Sequence, residues 1–147
     1  MAGSRPLPTL DEPDSGEFWR ATATKELKFQ RCDSCATTIW YPRPHCTGCL
    51  DGTLAWHSSN GFGTLYSYSV VRQSYHPFFR NLVPFSVAYV DVDEGFRILA
   101  NVVGIEDPST ELKIGQRLQL VWEQHEGLNI PLFEPAVAAP PPAARSP

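Results

Sequence analysis

The sequence predicts a mainly β protein, with one short helix near its start, then a cysteine-rich ribbon and a small barrel or sandwich of strands. Three observations support this fold class. All four cysteines lie between residues 32 and 49. Short segments of alternating apolar residues follow one another from Gly61 onward. No helical segments alternate with them, as a parallel α/β sheet would require.

Composition and charge narrow the class of protein. A chain of 147 residues with 42% hydrophobic and 19% charged residues is long enough for one compact domain, or one domain and a small satellite. The formal charge is −4 and no basic run occurs, which disfavours a nucleic-acid partner. No apolar run is long enough to span a membrane, and no secretory signal is recognisable. The expectation is a soluble, cytoplasmic protein.

The first part of the chain predicts a flexible N-terminus over residues 1–13 and then a helix with a ribbon over 14–57. A helix from Asp14 to Lys25 is expected, because Asp14 and Glu17 have the spacing of a capping box. Phe18 and Trp19 stand side by side in it, and one narrow stripe cannot bury both rings. Two interpretations remain open and are compatible: packing against the following domain, and contact with a second protein.

Cys32, Cys35, Cys46 and Cys49 form a C-x2-C-x10-C-x2-C pattern. Strands are expected before and between the two hooks, over residues 26–31 and 37–41. Four thiolates can close a tetrahedral ion completely, so the spacing predicts a structural zinc site. Iron of the rubredoxin type is the less favoured alternative and would colour the protein red. A redox dithiol is disfavoured because a βαβ context is missing. The neighbouring His45 is interpreted as a surface residue.

The second part of the chain, residues 58–135, is expected to form the barrel, and residues 136–147 a disordered Pro/Ala tail. From Pro131 onward the chain looks unable to build a core. A tight turn at Asp93–Gly95 should join the middle pair of strands, and one helical turn is expected in 104–115. The predicted strands cover residues 64–72, 85–92, 96–103 and 117–123.

An irregular aromatic segment, residues 72–84, interrupts the strands. It is too long for a hairpin turn and too aromatic for an ordinary solvated loop. Exposed aromatic side chains beside an arginine are typical of interface centres, so a partner contact is expected here. The alternative is that Phe78 and Phe79 plug the end of the barrel. The candidate partner contacts are Phe18, Trp19, Tyr75, His76, Phe78 and Phe79.

Longer motifs add a resemblance that covers roughly residues 14–135. They are FW in the helix, ELKFQRCDSC, PRPHCTGC, WHSSNGFGTLYSYSVV, PFSVAYVDVDEGFRILANVV, LKIGQRLQLVWE and PLFEP. Together they resemble the acyl-CoA-associated zinc-ribbon/OB-fold family encoded beside thiolases and steroid side-chain aldolases. The resemblance implies a rubredoxin-like zinc ribbon followed by an OB-fold barrel. This sequence departs from the family's pattern at Ala36 and Leu50, where a glycine usually follows each hook, and at Thr47, where a proline is usual.

The resemblance further implies a non-catalytic accessory subunit or domain. Such a protein would bind and organise a thiolase-superfamily enzyme, a thiolase or a retro-aldolase, as a hetero-oligomer. The substrates would be acyl-CoA thioesters, with steroid side-chain degradation as the specific case. Direct contact with the CoA phosphates would fall to Arg72 and Arg80, with Tyr75 and Phe78 as stacking platforms. For each arginine, a solvated loop charge is the alternative.

Two other functions fit the sequence less well. Intrinsic catalysis is disfavoured because His57, His76 and His125 fit no motif of nucleophile, base and orienting group. A single-stranded nucleic-acid-binding OB-fold protein is the alternative function, with Tyr66 and Tyr68 among its stacking residues. It is disfavoured because acidic residues outnumber basic ones over 58–126.

Overall fold

A computed structural model describes residues 3–137 and 141, and the fold is the predicted one, mainly β with short helices. The helical elements are α1 (Gly16–Thr22), a 3-10 turn (Phe79–Leu82) and α2 (Pro108–Glu111). The strands are β1 (Lys28–Cys32), β2 (Thr38–Ile39), β3 (Leu54–Ser58), β4 (Phe62–Val71), β5 (Phe85–Val92), β6 (Phe96–Ala100), β7 (Arg117–Gln124) and β8 (Asn129–Pro135). No helix in the part of the chain described here is long and apolar enough to cross a membrane.

The ribbon is a three-stranded antiparallel sheet in the order β2-β1-β3. Strand β1 pairs with β2 through Gln30 and Ile39, and with β3 through all five of its residues. The Gln30 side chain also holds the segment before the second hook, because its Oε1 accepts from the Arg43 N–H at 2.8 Å and its Nε2 donates to the Arg43 carbonyl at 3.1 Å.

The barrel is a five-stranded antiparallel sheet in the order β6-β5-β4-β7-β8. A parallel bridge between Val102 and Phe133 connects the segment after β6 to β8, so the sheet curls until its two edges meet. This is the curled five-stranded arrangement of an OB fold. The turn predicted at Asp93–Gly95 joins β5 to β6, with Gly95 at φ +97° and its N–H bonded to the Val92 carbonyl at 2.9 Å.

One core cluster runs through both sheets. Inside the barrel it is built on fully buried Leu65, Val90, Leu118 and Phe133. Leu27 and Phe29, which precede and lie on β1 of the ribbon, belong to the same cluster. The ribbon therefore packs against the barrel as one body and does not hang from it as a separate module.

Four aromatic rings make the junction between helix, ribbon and barrel. Trp40 stacks on Phe96 of β6 with ring centroids 4.7 Å apart, and Phe96 stacks on Phe29 at 5.2 Å. Phe18 of α1 meets Trp40 edge-on at 5.2 Å. Because Phe18 is only 4% exposed, its packing against the following domain, one of the two interpretations of the sequence, is what the structure contains.

Several element boundaries differ from the predicted ones. The helix begins at Gly16 after Ser15, which makes no side-chain cap, so the predicted capping box of Asp14 is wrong. Glu17 pairs instead with Lys28 of β1 at 3.4 Å. The helix ends at Thr22, where the Asn129 side chain bonds to the Thr22 carbonyl at 2.7 Å, which ties α1 to β8.

Strand β8 corrects the expectation that the chain builds no core from Pro131 onward. Pro131, Leu132 and Phe133 are buried, and β8 pairs with β7 over its whole length. Strand β3 was also not predicted. By contrast, α2 is the expected single turn in 104–115, capped by Asp107, whose Oδ1 accepts from the Ser109 N–H at 2.9 Å.

The two ends of the chain were expected to be flexible. Residues 3–13 contain no helix or strand but make contacts with the barrel that are described below. The predicted Pro/Ala tail over 136–147 lies largely outside the described residues.

Candidate functional site

The four cysteines come together as the sequence predicts. Their sulfur atoms all lie within 4.8 Å of one another. Cys32 ends β1 and Cys46 starts the second hook, and both are buried, whereas Cys35 and Cys49 are exposed. The Cys32 and Cys49 sulfurs are 3.7 Å apart, and those of Cys35 and Cys46 are 3.6 Å apart. Each hook therefore contributes one buried and one exposed sulfur.

Backbone N–H groups within each hook point at the buried sulfurs. Ser34 N–H donates to Cys32 Sγ at 3.4 Å, and Gly48 N–H donates to Cys46 Sγ at 3.3 Å. Such bonds favour the thiolate form, which is the form that binds metal. Thr37 Oγ1 lies 3.0 Å from Cys35 Sγ. The N–H bonds to the two buried sulfurs are thus equivalent although the hooks differ in sequence, and the Thr37 contact is an additional one at the first hook.

The thiols differ in acidity. The Thr37 hydroxyl and N–H lower the pKa of Cys35 to about 6. The backbone N–H of Cys35 lowers the pKa of Cys32, but burial and the neighbouring Cys46 and Cys35 side chains outweigh it and raise that pKa to about 11. A cation at the centre would favour the charged form of all four groups.

Four soft anionic sulfur donors in this arrangement fit zinc. Such a set fills a tetrahedral ion and leaves no open coordination position for water or substrate. His45 is exposed and does not belong to the cluster, in agreement with its interpretation as a surface residue. Within residues 3–137, the cysteines are the one group of three or more potential ligands close enough to share an ion.

Two glycines fit closely against the sulfurs, and neither was recognised from the sequence. A β carbon at Gly52 would collide with Cys32 Sγ and lie 3.1 Å from Cys49 Sγ. A β carbon at Gly48 would lie 2.8 Å from Thr37 Oγ1 and 3.4 Å from Cys35 Sγ. At Gly52 only a residue without a side chain leaves room for the Cys32 sulfur, whereas at Gly48 the close contact is with the Thr37 hydroxyl.

The residue after each hook has left-handed backbone geometry. Ala36 has φ +60° and Leu50 has φ +65°, a conformation that glycine adopts more readily than either residue. Leu50 is 78% exposed, so its side chain contributes little packing to offset the strain. Both positions, where the sequence has alanine and leucine in place of glycine, are therefore sites of backbone strain.

Replacing Ala36 and Leu50 with glycine is expected to stabilise the ribbon. A left-handed conformation costs a residue with a β carbon roughly 1 kcal/mol relative to glycine, part of which is offset by the greater freedom of an unfolded glycine. The midpoint of thermal unfolding of the zinc-bound protein should rise for each variant. Ala55→Gly, within the regular strand β3, should lower it. A fall for the hook variants would show that the hooks are not strained.

Away from the cysteine cluster, His57 and the two carboxylates of the turn after β5 have structural roles. Asp93 makes a two-bond ion pair with Arg117, at 2.8 and 2.7 Å. Glu94 accepts from the Ser59 hydroxyl and the Asn60 N–H, both at 2.7 Å. His57 stacks on Phe29 with ring centroids 5.7 Å apart. Glu94 thus joins the turn after β5 to the segment between ribbon and barrel, and Asp93 joins the same turn to β7.

The aromatic loop, residues 72–84, brings four of the predicted contact residues together. Tyr75 is 83% exposed, and His76 is exposed as well. Phe78 and Phe79 are half-buried and meet edge-on at 5.0 Å, and Phe79 also contacts Phe85 of β5 at 5.8 Å. Thus Phe79 packs on the first residue of β5 while Tyr75 is exposed, and the plug at the barrel end stays a prediction.

Of the other predicted contacts, Trp19 lies on α1, and Arg72 and Arg80 lie in the aromatic loop itself. Trp19 is half-buried beside Phe18 on α1. Arg72, directly after β4, is exposed. Arg80 is exposed and donates to the Tyr75 carbonyl at 3.1 Å, which holds the loop closed on itself.

A second aromatic surface was not recognised from the sequence. It lies on the outside of strands β4 to β6, and we call it the outer aromatic face. Tyr66 is 51%, Tyr89 43% and Leu99 47% exposed. The Arg97 guanidinium lies 3.4 Å from the centre of the Tyr66 ring and is paired with Asp91 at 2.6 Å. Tyr66 sits at an irregularity in the pairing of β4 with β5, where one residue is left over.

Family models match both parts of the chain. Residues 19–55 match the family described as "ChsH2, rubredoxin-like zinc ribbon domain". Residues 56–123 match "ChsH2, C-terminal OB-fold domain". The division between the two falls within β3, which belongs to the ribbon sheet in the structure.

Two curated relatives are similar in sequence. A probable enoyl-CoA hydratase alpha subunit from Thermomonospora curvata is 36% identical over 136 residues. The match takes in 90% of this chain but only 40% of that protein's length. A DUF35 domain-containing scaffold protein from Methanothermobacter thermautotrophicus is 28% identical over 108 residues, which is 72% of this chain and 79% of the relative.

Two solved structures have the same fold. A DUF35-family protein of unknown function from Sulfolobus solfataricus matches with a TM-score of 0.60 at 13% identity, over 83% of this chain and 85% of that one. A chain of the structure described as "Ltp2-ChsH2(DUF35) aldolase" matches with a TM-score of 0.78 at 34% identity, over 90% of this chain and 100% of that one. On this evidence the chain belongs to the ChsH2 family of zinc-ribbon and OB-fold proteins.

Proposed function

We propose that this chain is a non-catalytic accessory subunit or domain that binds and organises a thiolase-superfamily enzyme acting on acyl-CoA thioesters. The enzyme would be a thiolase or a retro-aldolase, and steroid side-chain degradation is the specific process proposed. The observation that carries the proposal is the structural match to a chain of the structure described as an Ltp2-ChsH2(DUF35) aldolase. The match covers 100% of that chain. The scaffold name of the Methanothermobacter relative supports the same role.

A purely structural role for the metal is consistent with a non-catalytic subunit. With Cys32, Cys35, Cys46 and Cys49 as ligands, zinc would be fully coordinated, so it could neither activate water nor polarise a substrate. Its contribution would be to folding, on the order of 10 kcal/mol by analogy with zinc-finger peptides. The ribbon that it holds together packs on the barrel through the rings of Trp40, Phe96 and Phe29. Zinc would therefore fix the shape of the whole docking module.

The aromatic loop is the proposed centre of the contact with the enzyme. Its half-buried rings and the exposed Tyr75 side chain offer apolar area, and Arg80 lies at its rim. Aromatic residues and arginine are the types that contribute most at interface centres. Trp19, half-buried on α1, would contribute at a separate point.

A co-purification experiment tests both the partner and the surface. The tagged chain should capture a thiolase-superfamily enzyme from native extract, identified by mass spectrometry. Tyr75→Ser, and separately Phe78→Ser with Phe79→Ser, should reduce capture at least about tenfold, the effect of losing an interface residue worth over 1.4 kcal/mol. Zinc content should not change in any of these variants.

Matched variants on the outer aromatic face make the result specific. Tyr66→Ser and Tyr89→Ser remove exposed tyrosine rings from strands β4 and β5 and should leave capture unchanged. If they reduce capture while the loop variants do not, the outer aromatic face is the docking surface. If the captured protein belongs to another enzyme superfamily, the proposed function is wrong.

Direct contact with acyl-CoA is proposed for Arg72 and Arg80. Both guanidinium groups are exposed and so accessible to phosphate. Tyr75 follows Arg72 closely in the chain, and its backbone carbonyl accepts from Arg80, so a candidate stacking residue is joined through its backbone to one of the two cations. In this proposal the two arginines meet the nucleotide phosphates while the acyl group extends to the enzyme.

A further inference from the structure

The segment before α1 runs over the barrel and touches it at separate points. A β carbon at Gly3 would lie 2.8 Å from Pro77 Cβ, so the backbone at Gly3 rests on the aromatic loop. Leu10, at the other end of the segment, packs against the apolar cluster of Leu128, Ile130 and Leu132. Arg20 of α1 donates to the Leu10 carbonyl at 2.7 Å. We call residues 3–10 the strap.

Arg5 occupies a site between the strap's two ends. Its guanidinium carbon lies 5.6 Å from the centre of the Phe78 ring and 5.4 Å from that of Phe79. Its Nη1 donates to Glu123 Oε2 at 3.2 Å. The other oxygen of Glu123 is held by His125 Nε2 at 2.6 Å. Only 11% of the Arg5 side chain is exposed, which is little for an arginine in a segment without regular structure.

This arrangement has the chemistry of a guanidinium site. Two aromatic faces attract a flat, weakly hydrated cation, and one carboxylate oxygen accepts an N–H from its edge. A lysine ammonium would keep the charge attraction. It would lose the planar contact with the rings, and its stronger hydration makes burial at this site more costly. The site therefore discriminates by shape as well as by charge.

We infer that Phe78, Phe79 and Glu123 form a guanidinium-binding site that Arg5 fills in cis, and that this contact ties the strap across the aromatic loop. The inference does not depend on the proposed function. It adds that a partner docking on the loop meets a surface already half covered by residues of the same chain. Release of the strap would expose more of the two loop rings that Arg5 contacts.

Backbone order in the strap tests the inference on the full zinc-bound chain. Amide ¹⁵N order parameters for Gly3, Ser4 and Leu7 should be near about 0.85 in the wild type. They should fall below about 0.6 in Arg5→Ala and in Glu123→Gln. Arg5→Lys should resemble Arg5→Ala, whereas Ser4→Ala, an exposed neighbouring change, should resemble the wild type.

Two outcomes would overturn the inference. If Arg5→Lys keeps the strap as ordered as the wild type does, the contact is a simple ion pair and not a guanidinium site. If Arg5→Ala leaves the order parameters unchanged, Leu10 and Gly3 hold the strap without Arg5. Neither outcome bears on capture of the thiolase-superfamily enzyme, so failure here is distinguishable from failure of the proposed function.

A second measurement examines the site in trans. The peptide acetyl-GSRPL-amide should shift the amide resonances of Phe78 and Phe79 in Arg5→Ala. In the wild type it should bind at least about tenfold more weakly, because the tethered Arg5 competes at an effective concentration near millimolar. The same peptide with lysine in place of arginine should shift neither protein. Equal binding to the wild type and Arg5→Ala would mean that Arg5 does not occupy the peptide's site.

Discussion

Replacing Gly52 with alanine is expected to abolish tight zinc binding although no ligand is removed. The new methyl group would collide with Cys32 Sγ and lie 3.1 Å from Cys49 Sγ and 3.5 Å from Ser34 Cβ. Either Cys32 leaves its ligand position or the segment after the second hook moves away. Changes that misplace a ligand typically lower metal affinity about 10- to 100-fold, and contact with two of the four sulfurs should put this variant at the upper end. Competition with a chromophoric chelator measures the affinity.

Two comparison variants make the Gly52 experiment decisive. Cys32→Ser removes the ligand itself and sets the scale for losing one donor. Asp51→Ala changes the exposed side chain next to Gly52 and should leave zinc affinity at the wild-type level. Gly52→Ala should lie close to Cys32→Ser. If it binds zinc as tightly as Asp51→Ala does, the close approach of the backbone to Cys32 is not required.

In the metal site, the spacing of the cysteines in the sequence predicts the ligands but not the residues that pack around them. Each C-x2-C hook is a local turn, so the pattern of the ligands is visible in the sequence. Gly52 is different, because it belongs to the chain after the second hook while the sulfur that it accommodates, Cys32, belongs to the first. Its importance comes from the meeting of β1 and β3, and β3 was not predicted. A glycine that follows a hook closely was the only available signal.

In the barrel, prolines in the sequence led to a wrong prediction for a core strand. Pro131 and Pro135 lie in β8 and made that segment resemble the start of the tail. Proline has no N–H to donate, but β8 is at the edge of the sheet, where one side of the strand needs no partner. Phe133, which is fully buried, and the bridge to Val102 close the barrel there. These contacts depend on the curl of the whole sheet, and local periodicity does not report it.

The surface aromatics could be predicted only in part, because a bulge changes which face a residue occupies. Tyr66 and Tyr68 are two apart and should share a face in a regular strand. The extra residue in β4 separates them: Tyr66 is 51% exposed under Arg97, whereas Tyr68 packs against the core and donates to the Leu112 carbonyl at 3.2 Å. Tyr66 and Tyr68, both stacking residues in the nucleic-acid alternative, therefore do not share one exposed face.

Replacing Phe96 with alanine is expected to destabilise the protein strongly. Phe96 is 6% exposed and stacks on both Trp40 and Phe29, so the cavity would open at the junction of helix, ribbon and barrel. Truncating a buried phenylalanine costs about 3–5 kcal/mol, a large part of the roughly 5–15 kcal/mol that stabilises a domain. The midpoint of thermal unfolding with zinc bound should fall by on the order of 10 °C.

Leu99→Ala is the matched control, since Leu99 lies on the same strand but is 47% exposed, and it should change stability by only about 0.5 kcal/mol. Zinc content should stay at the wild-type level in Phe96→Ala, because the Phe96 ring stacks on Phe29 and Trp40 and not on a cysteine. This separates two contributions to the fold: the metal holds the hooks, and the aromatic junction holds the ribbon on the barrel. If Phe96→Ala costs no more than Leu99→Ala, ribbon and barrel are stabilised independently. The partner would then meet two modules whose relative position is not fixed by this junction.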